Sequence, residues 1–316
     1  MRAALVREIG ALPELGEAPE PSGEDGRILV EVLAAPLNPL DLAVGAGRFY
    51  GGHPELPYVP GCEAVGRRRD SGELVWIFSD ALGLSRNGAF AELASSSEEA
   101  AVPVPDGADP ALAAALGIAG LAGWLPLVWR APIHGGETVL VLGATGTVGI
   151  VAVQTARLRG AGRVVAVGRD AERLRRAEQL GADATVTLEG EDLAERLKEA
   201  CGGSGADIVF DPLWGAPLAA ALAATAPGAR IVQLGQSAGP EATLTSNAIR
   251  GKHLELLGYT DFSVPREVLL AEYPRLVEHA VAGSIELEVE RVPLERVGEA
   301  WERQRAGSAA KLVLVP

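Results

Sequence analysis

The sequence predicts an α/β chain in which a doubly wound parallel sheet is joined to a mostly β domain. Three observations carry that prediction. Apolar runs alternate with helical patterns from Thr138 to Gly258, and a glycine-spaced turn separates the first run from the first helix. The first third of the chain instead holds short β-branched runs broken by Pro and Gly, without helices between them.

Thr138 to Leu142 is β-branched and leucine-rich with no charge, as a central parallel strand buried on both faces requires. The spacing Ala144-x-Gly146-x-x-Gly149 follows, with Thr145, Thr147 and Val148 between, and it matches the dinucleotide (Rossmann) fingerprint with alanine at the first glycine position. In that pattern the first small residue accommodates the sharp turn, the second lets backbone approach a pyrophosphate, and the third lets the helix pack on the strand. Val148, Val151, Ala152, Thr155 and Ala156 form one apolar helical stripe, Gly160 ends that helix, and Val164 to Val167 is the second strand. Helices over Asp170 to Leu180, Asp192 to Ala200 and Pro217 to Ala224 alternate with strands over Ala184 to Val186, Asp207 to Phe210, Arg230 to Gly235 and His253 to Gly258. That makes six candidate strands.

The end of the second strand bears on which dinucleotide is bound. A site selective for NADH has an Asp or Glu there to accept from the ribose 2′-hydroxyl. Here Gly168 stands instead, followed by Arg169 and, on the next helix, Arg173, Arg175 and Arg176, positive charge where a 2′-phosphate would lie. The sequence therefore favours NADPH; the alternative is a solvated Arg169 beside an Asp170 that merely caps a helix.

In the first third, Arg2 to Val6, Arg27 to Leu33, Glu73 to Phe78, Ala89 to Leu93 and Ala101 to Pro103 read as strands, and Ser95 to Ser97 as a loop. Pro265 to Ala282 and Leu294 to Arg305 read as helices, and Lys311 to Val315 as a last strand that returns to the N-terminal domain. The expected division is 1–118, 119–261 for the dinucleotide domain, and 262–316 as the returning segment.

The chain resembles the medium-chain dehydrogenase/reductase superfamily, specifically its zinc-independent NADPH:quinone oxidoreductase-like branch. The carriers are Asn38-Pro39-Leu40-Asp41, Leu56 to Gly66, Asn87 to Glu92, the glycine turn, Asp207 to Gly215, Arg230 to Gly235 and Lys311-Leu312-Val313-Leu314. The resemblance implies a GroES-like catalytic domain over 1–118. It also implies cofactor contacts from the turn, Gly168, Arg169, Arg173, Leu234, Gly235 and Lys311, and a homodimer paired through edge strands. Zinc-dependent relatives carry Cys at the position of Asn38 and His at that of Cys62, so no metal is expected here. His53, Cys62 and Glu63 lie close in sequence but read better as a packed thiol and a structural carboxylate with an unrelated histidine. Gly120-Leu121-Ala122-Gly123 lacks the threonine the family often has.

The implied chemistry is hydride transfer from NADPH to a quinone, an enone or a related α,β-unsaturated carbonyl. Asn38, near the nicotinamide by family position, and Tyr50 are the candidate catalytic donors to the developing oxygen; the plainer readings are a turn-forming asparagine and a half-buried tyrosine. An enoyl-thioester reductase would want basic residues at its pocket rim, and the chain has only Lys198, Lys252 and Lys311 besides its arginines. A protein that binds NADPH without catalysing anything is the alternative of another class.

Composition fits these readings. A length of 316 residues suggests two domains, and a 48% hydrophobic share suffices for two cores. The net charge of −14 argues against nucleic acid. No apolar run approaches a membrane span, and two cysteines without a pairing pattern suit a reducing compartment, so a cytoplasmic location is expected.

Overall fold

The computed structural model describes residues 1–23, 26–78 and 81–316. It is an α/β fold that divides into two compact units. The first comprises Met1–Ala119, Val264–Gly283 and Leu287–Pro316, and the second Gly120–Ser263 with Ser284–Glu286.

The N-terminal part of the first unit is built from β1 (Arg2–Leu5), β2 (Glu14–Glu17), β3 (Arg27–Pro36), β4 (Glu63–Arg68), β5 (Leu74–Phe78), β6 (Leu93–Ser97) and β7 (Ala101–Pro103). Three expectations need correction. Ala89 to Leu93 is not a strand: Ala91 makes one bridge to Ala3, and the strand begins at Leu93. Ser95 to Ser97, expected as a loop, is the heart of β6, with Ser96 1% exposed, because pairing with Arg27–Glu31 of β3 buries it. Helices also occur in this region, at Pro39–Gly45 and Pro110–Ala115, each opened by proline at its first position behind an Asn or Asp cap.

In the second unit, β8 (Thr138–Leu142), β9 (Arg163–Gly168), β10 (Ala184–Thr187), β11 (Ala206–Asp211), β12 (Thr225–Gln233) and β13 (Glu255–Gly258) form one parallel sheet. Its order is β10-β9-β8-β11-β12-β13. Alternate residues serve opposite faces: Val139, Val141, Val164, Ala166, Ile208 and Phe210 enter one core, while Leu140, Leu142, Val165, Val167 and Val209 enter the other. This two-sided burial is why the strands read as unbroken apolar runs. The order of strands reverses between β8 and β11, the switch point outside whose carboxyl ends such sheets bind ligands. β13 is the outer strand, and Leu256 on it is 46% exposed.

The chain then returns to the first unit. β14 (Val289–Pro293) pairs in parallel with β15 (Lys311–Val315), and β15 pairs antiparallel with β3, giving the order β14-β15-β3-β4-β5-β7, with β6 also on β3. This strand pairing buries Leu312, Val313 and Leu314 completely.

Candidate functional site

In the second unit the turn after β8 is built by Gly143, not by Ala144 as the fingerprint alone suggests. Gly143 takes φ +66°, and a Cβ on it would stand 3.1 Å from Pro212 Cγ and Leu213 Cδ2. Ala144 is buried, its N–H donating to Val167 O at 2.8 Å. The other two glycines of the fingerprint differ in what they need. A Cβ on Gly149 would lie 2.2 Å from Gly143 O and 2.6 Å from Ala144 Cα, so the close approach of helix Thr147–Leu158 to the turn demands glycine there. Gly146 has an ordinary φ of −94°, and a Cβ on it would meet only Gly143 O, at 3.7 Å. Nothing in the fold requires glycine at Gly146. It is an exposed N-cap with no side-chain acceptor, so the first N–H groups of a 12-residue helix have none from their cap, an arrangement that could hold an anion.

At the end of β9, Gly168 packs under Thr145, and a Cβ on it would stand 2.3 Å from Thr145 Cγ2. Asp170 is consumed as the N-cap of helix Ala171–Gln179, its Oδ1 accepting from Glu172 N at 2.9 Å and Arg173 N at 3.0 Å. Arg173 leans toward Asp170 at 4.0 Å, Arg175 pairs with Glu172 at 3.3 Å, and Arg176 pairs with Glu286. Arg169 alone of this group is exposed and has no hydrogen-bond or ion-pair partner among the described residues. Leu234 N donates to Asp211 O at 3.0 Å, and a Cβ on Gly235 would lie 2.6 Å from Pro212 O, so both lie against the loop after β11. Sequence reasoning passed over Asp211 itself. Its Oδ1 accepts from Leu213 N and Trp214 N, its Oδ2 has no partner among the described residues, and burial pushes its pKa up.

The first unit contains a buried ionic network around Asn38. Asn38 caps helix Pro39–Gly45 in a capping box, its backbone N–H donating to Asp41 Oδ2 at 2.7 Å. Asp41 Oδ1 accepts from Cys62 N at 2.9 Å. The Asn38 amide is held at both ends: Nδ2 donates to Glu63 Oε1 at 2.8 Å, and Oδ1 accepts from Lys311 Nζ at 2.5 Å. Glu63 Oε2 accepts from Trp76 Nε1 at 2.7 Å and Ile118 N at 2.8 Å, and Lys311 Nζ also donates to Leu37 O at 2.9 Å. Asn38, Asp41, Glu63 and Lys311 are all 4% exposed or less.

Burial dominates the electrostatics of this network. It pushes Glu63 up to about 7, against the pull of Lys311 and three hydrogen-bond donors, and brings Lys311 down to about 8 against the pull of Glu63 and Asp41. It also raises Asp41, and raises the Cys62 thiol well above its ordinary range with help from the Asp41 charge.

These placements bear on three sequence expectations. Asn38 is no free donor, because both ends of its amide are committed within the fold. Lys311 donates two of its three N–H groups within the fold, to Leu37 O and Asn38 Oδ1. Tyr50 is 90% exposed, its ring centroid 4.5 Å from that of Phe49, and its hydroxyl has no hydrogen-bond partner among the described residues. The one signal available in sequence was the Asn38-x-x-Asp41 capping spacing, which marked a helix start rather than a reactive group.

The family model described as zinc-binding dehydrogenase matches residues 147–278. The quinone oxidoreductase of Homo sapiens is 28% identical over 326 residues, covering 100% of this chain and 98% of the human protein. The quinone oxidoreductase from Thermus thermophilus, solved alone and in complex with NADPH, is 28% identical with a TM-score of 0.82, covering 100% of both chains. A structure titled NAD-dependent alcohol dehydrogenase is 29% identical with a TM-score of 0.89, again over 100% of both chains.

The zinc in the name of that family finds no fit among these residues. A catalytic zinc takes three protein ligands, and a thiol must bind as thiolate. Both oxygens of Asp41 and both of Glu63 already accept hydrogen bonds, the Cys62 thiol is held protonated, and Lys311 is the cation of the cluster. His53 is exposed and shares its ring Nδ1 with Pro54 O, at 2.7 Å. The sheet order, the glycine turn and the end-to-end likenesses nonetheless agree on ancestry. They support a place for the chain in the medium-chain dehydrogenase/reductase superfamily, in its quinone-oxidoreductase-like branch.

Proposed function

We propose that this protein is an NADPH-dependent reductase of quinones or α,β-unsaturated carbonyls that works without zinc. The observation that carries the dinucleotide reading is Gly146, a glycine which neither its φ nor its packing requires and which leaves a helix N-terminus open to a pyrophosphate. The preference for the phosphorylated cofactor rests on three neighbours. Gly168 offers no carboxylate to a 2′-hydroxyl, Asp170 is spent on capping, and Arg169 is a guanidinium without a partner among the described residues.

When bound, NADPH supplies the hydride, two electrons and a hydrogen nucleus delivered to an electron-poor carbon. The chain's share is to hold the pyrophosphate on the turn through Ala144, Thr145, Gly146, Thr147, Val148 and Gly149, and the 2′-phosphate on Arg169 with Arg173 beside it. Leu234 and Gly235 line the carboxyl ends of the strands next to the switch point. The proton that completes the reduction comes from water, since both N–H groups of the Asn38 amide are bound within the fold, to Pro36 O and Glu63 Oε1. Zinc independence follows from the same network, in which Lys311 supplies the positive charge. The protein is inferred to act in the cytoplasm as a homodimer paired through the exposed edge of β13.

Arg169→Ala tests the cofactor assignment. Loss of a charge-assisted hydrogen bond is worth roughly 1.5 to 3 kcal/mol, about 10- to 100-fold in affinity. NADPH binding should weaken by that factor while NADH binding stays as it was; equal losses for both would refute the role of Arg169.

A further inference from the structure

We propose that Thr145 is a specificity-determining residue, because its side chain fills the space that any side chain at position 168 would need and so keeps a ribose-reading carboxylate out of the site. The proposal rests on the dinucleotide reading of the glycine turn. Gly168 is not among the residues with positive φ, so its backbone conformation would accept any amino acid. The nearest obstacle is Thr145: a Cβ on Gly168 would stand 2.3 Å from Thr145 Cγ2, 2.9 Å from Oγ1 and 3.2 Å from Cβ. Turning χ1 of Thr145 exchanges methyl, hydroxyl and hydrogen among three staggered positions, and with a single hydrogen among them at least one γ heavy atom stays in the two positions that crowd residue 168.

Neither backbone is free to move apart. Gly168 pairs with Thr187 in the sheet, and its carbonyl accepts from Leu188 N at 2.8 Å. On the other side the Thr145 backbone is fixed by its neighbours, Ala144 N donating to Val167 O at 2.8 Å and Gly146 N to Gly143 O at 3.1 Å. Thr145 therefore acts as a lock on its neighbour across the turn. An aspartate introduced at 168 is refused by sterics before its charge can act, so a single substitution cannot convert the site to NADH.

The test is a double-mutant cycle on the full chain, with Arg169 kept throughout. Gly168→Ala and Gly168→Asp are each made in the wild-type and the Thr145→Ala backgrounds. Melting temperature is measured without cofactor, and dissociation constants for NADPH and NADH are read from reduced-nicotinamide fluorescence. Both single substitutions at 168 should lower the melting temperature and weaken both cofactors. Thr145→Ala should restore most of the loss, and Thr145→Ala with Gly168→Asp should bind NADH about 10-fold or more tighter than wild type, the size of one hydrogen bond to a charged group.

Additive changes in melting temperature would overturn the lock, as would a lone Gly168→Asp that melts like wild type and gains NADH. Gly168→Ala carries no charge and keeps the steric test readable if the aspartate variant does not fold. A wild-type protein with no preference for NADPH would overturn the cofactor reading instead, a result distinct from the stability coupling, which is measured in the unliganded chain.

Discussion

Replacing Lys311 with methionine keeps the length of the side chain and removes its charge from a site that is 4% exposed. What remains is Leu37 O and Asn38 Oδ1 without their donor, and Asp41 and Glu63 without a counter-cation. Removing one partner of a buried ionic cluster costs about 3 to 5 kcal/mol. In a unit of roughly 150 to 250 residues, each kcal/mol lowers Tm by about 2 to 4 °C, so a loss of about 6 to 20 °C is expected.

The loss should also depend on pH, and its sign follows from Glu63. The pKa of Glu63 is raised in the fold, from 4.5 to about 7. Its contribution is therefore fully present below its unfolded value and is lost as pH rises through the folded one. Lys311 is what holds that pKa down, so without it Glu63 takes up a proton at still higher pH. Near pH 5 Glu63 is largely protonated in both proteins, and the deficit of the variant is smallest. Near pH 7.5 the wild type has its ion cluster and the variant has either an unpaired charge or a forced protonation, so the deficit is largest. Thermal unfolding followed by circular dichroism at these two pH values reads both effects. A Tm loss below about 2 °C, or one equal at both pH values, would refute the view that Lys311 is the cation of a buried ionic cluster.

Two further outcomes follow from the same residues. Exhaustive treatment with EDTA or phenanthroline should leave activity and Tm unchanged, and stoichiometric zinc with loss of activity on chelation would contradict the reading of the Asn38 network. Leu256→Lys places a charge on the exposed edge of β13 and should turn a dimer into a monomer by light scattering; a dimer unaffected by it would locate the interface elsewhere.

How much was legible in the sequence differs between the two units for a physical reason. In the second unit each strand is buried on both faces, so local composition alone marks it, and Thr138 to Leu142 falls on β8 residue for residue. Arg163–Gly168, Ala206–Asp211 and the helices between them stray from the sequence reading by a few residues at their ends, where fraying and capping decide. In the first unit, strand identity depends on distant pairing. Ser95 to Ser97 has the composition of a loop and becomes a strand because β3, some seventy positions earlier, pairs with it and Arg27 donates to Ser95 Oγ at 2.8 Å. Glu14–Glu17 and Val289–Pro293, mostly polar at their surfaces, escaped notice for the same reason.

The sites divide in the same way. The glycine turn is a local motif, and only the division of labour between Gly143 and Ala144 needed coordinates. Asn38 looked like a free donor because its partners, Glu63 and Lys311, stand 25 and 273 positions away in the chain. Asp170, which the alternative reading of Arg169 makes a helix cap, proves to be one.

The central claim is tested most directly by steady-state oxidation of NADPH and of NADH by the purified protein, with 9,10-phenanthrenequinone and a simple enone as acceptors. The proposed function predicts turnover of at least one acceptor, with kcat/KM for NADPH exceeding that for NADH by about tenfold or more, the size of one charge-assisted contact to the 2′-phosphate. No turnover of either acceptor with either cofactor, or a preference for NADH, would contradict it.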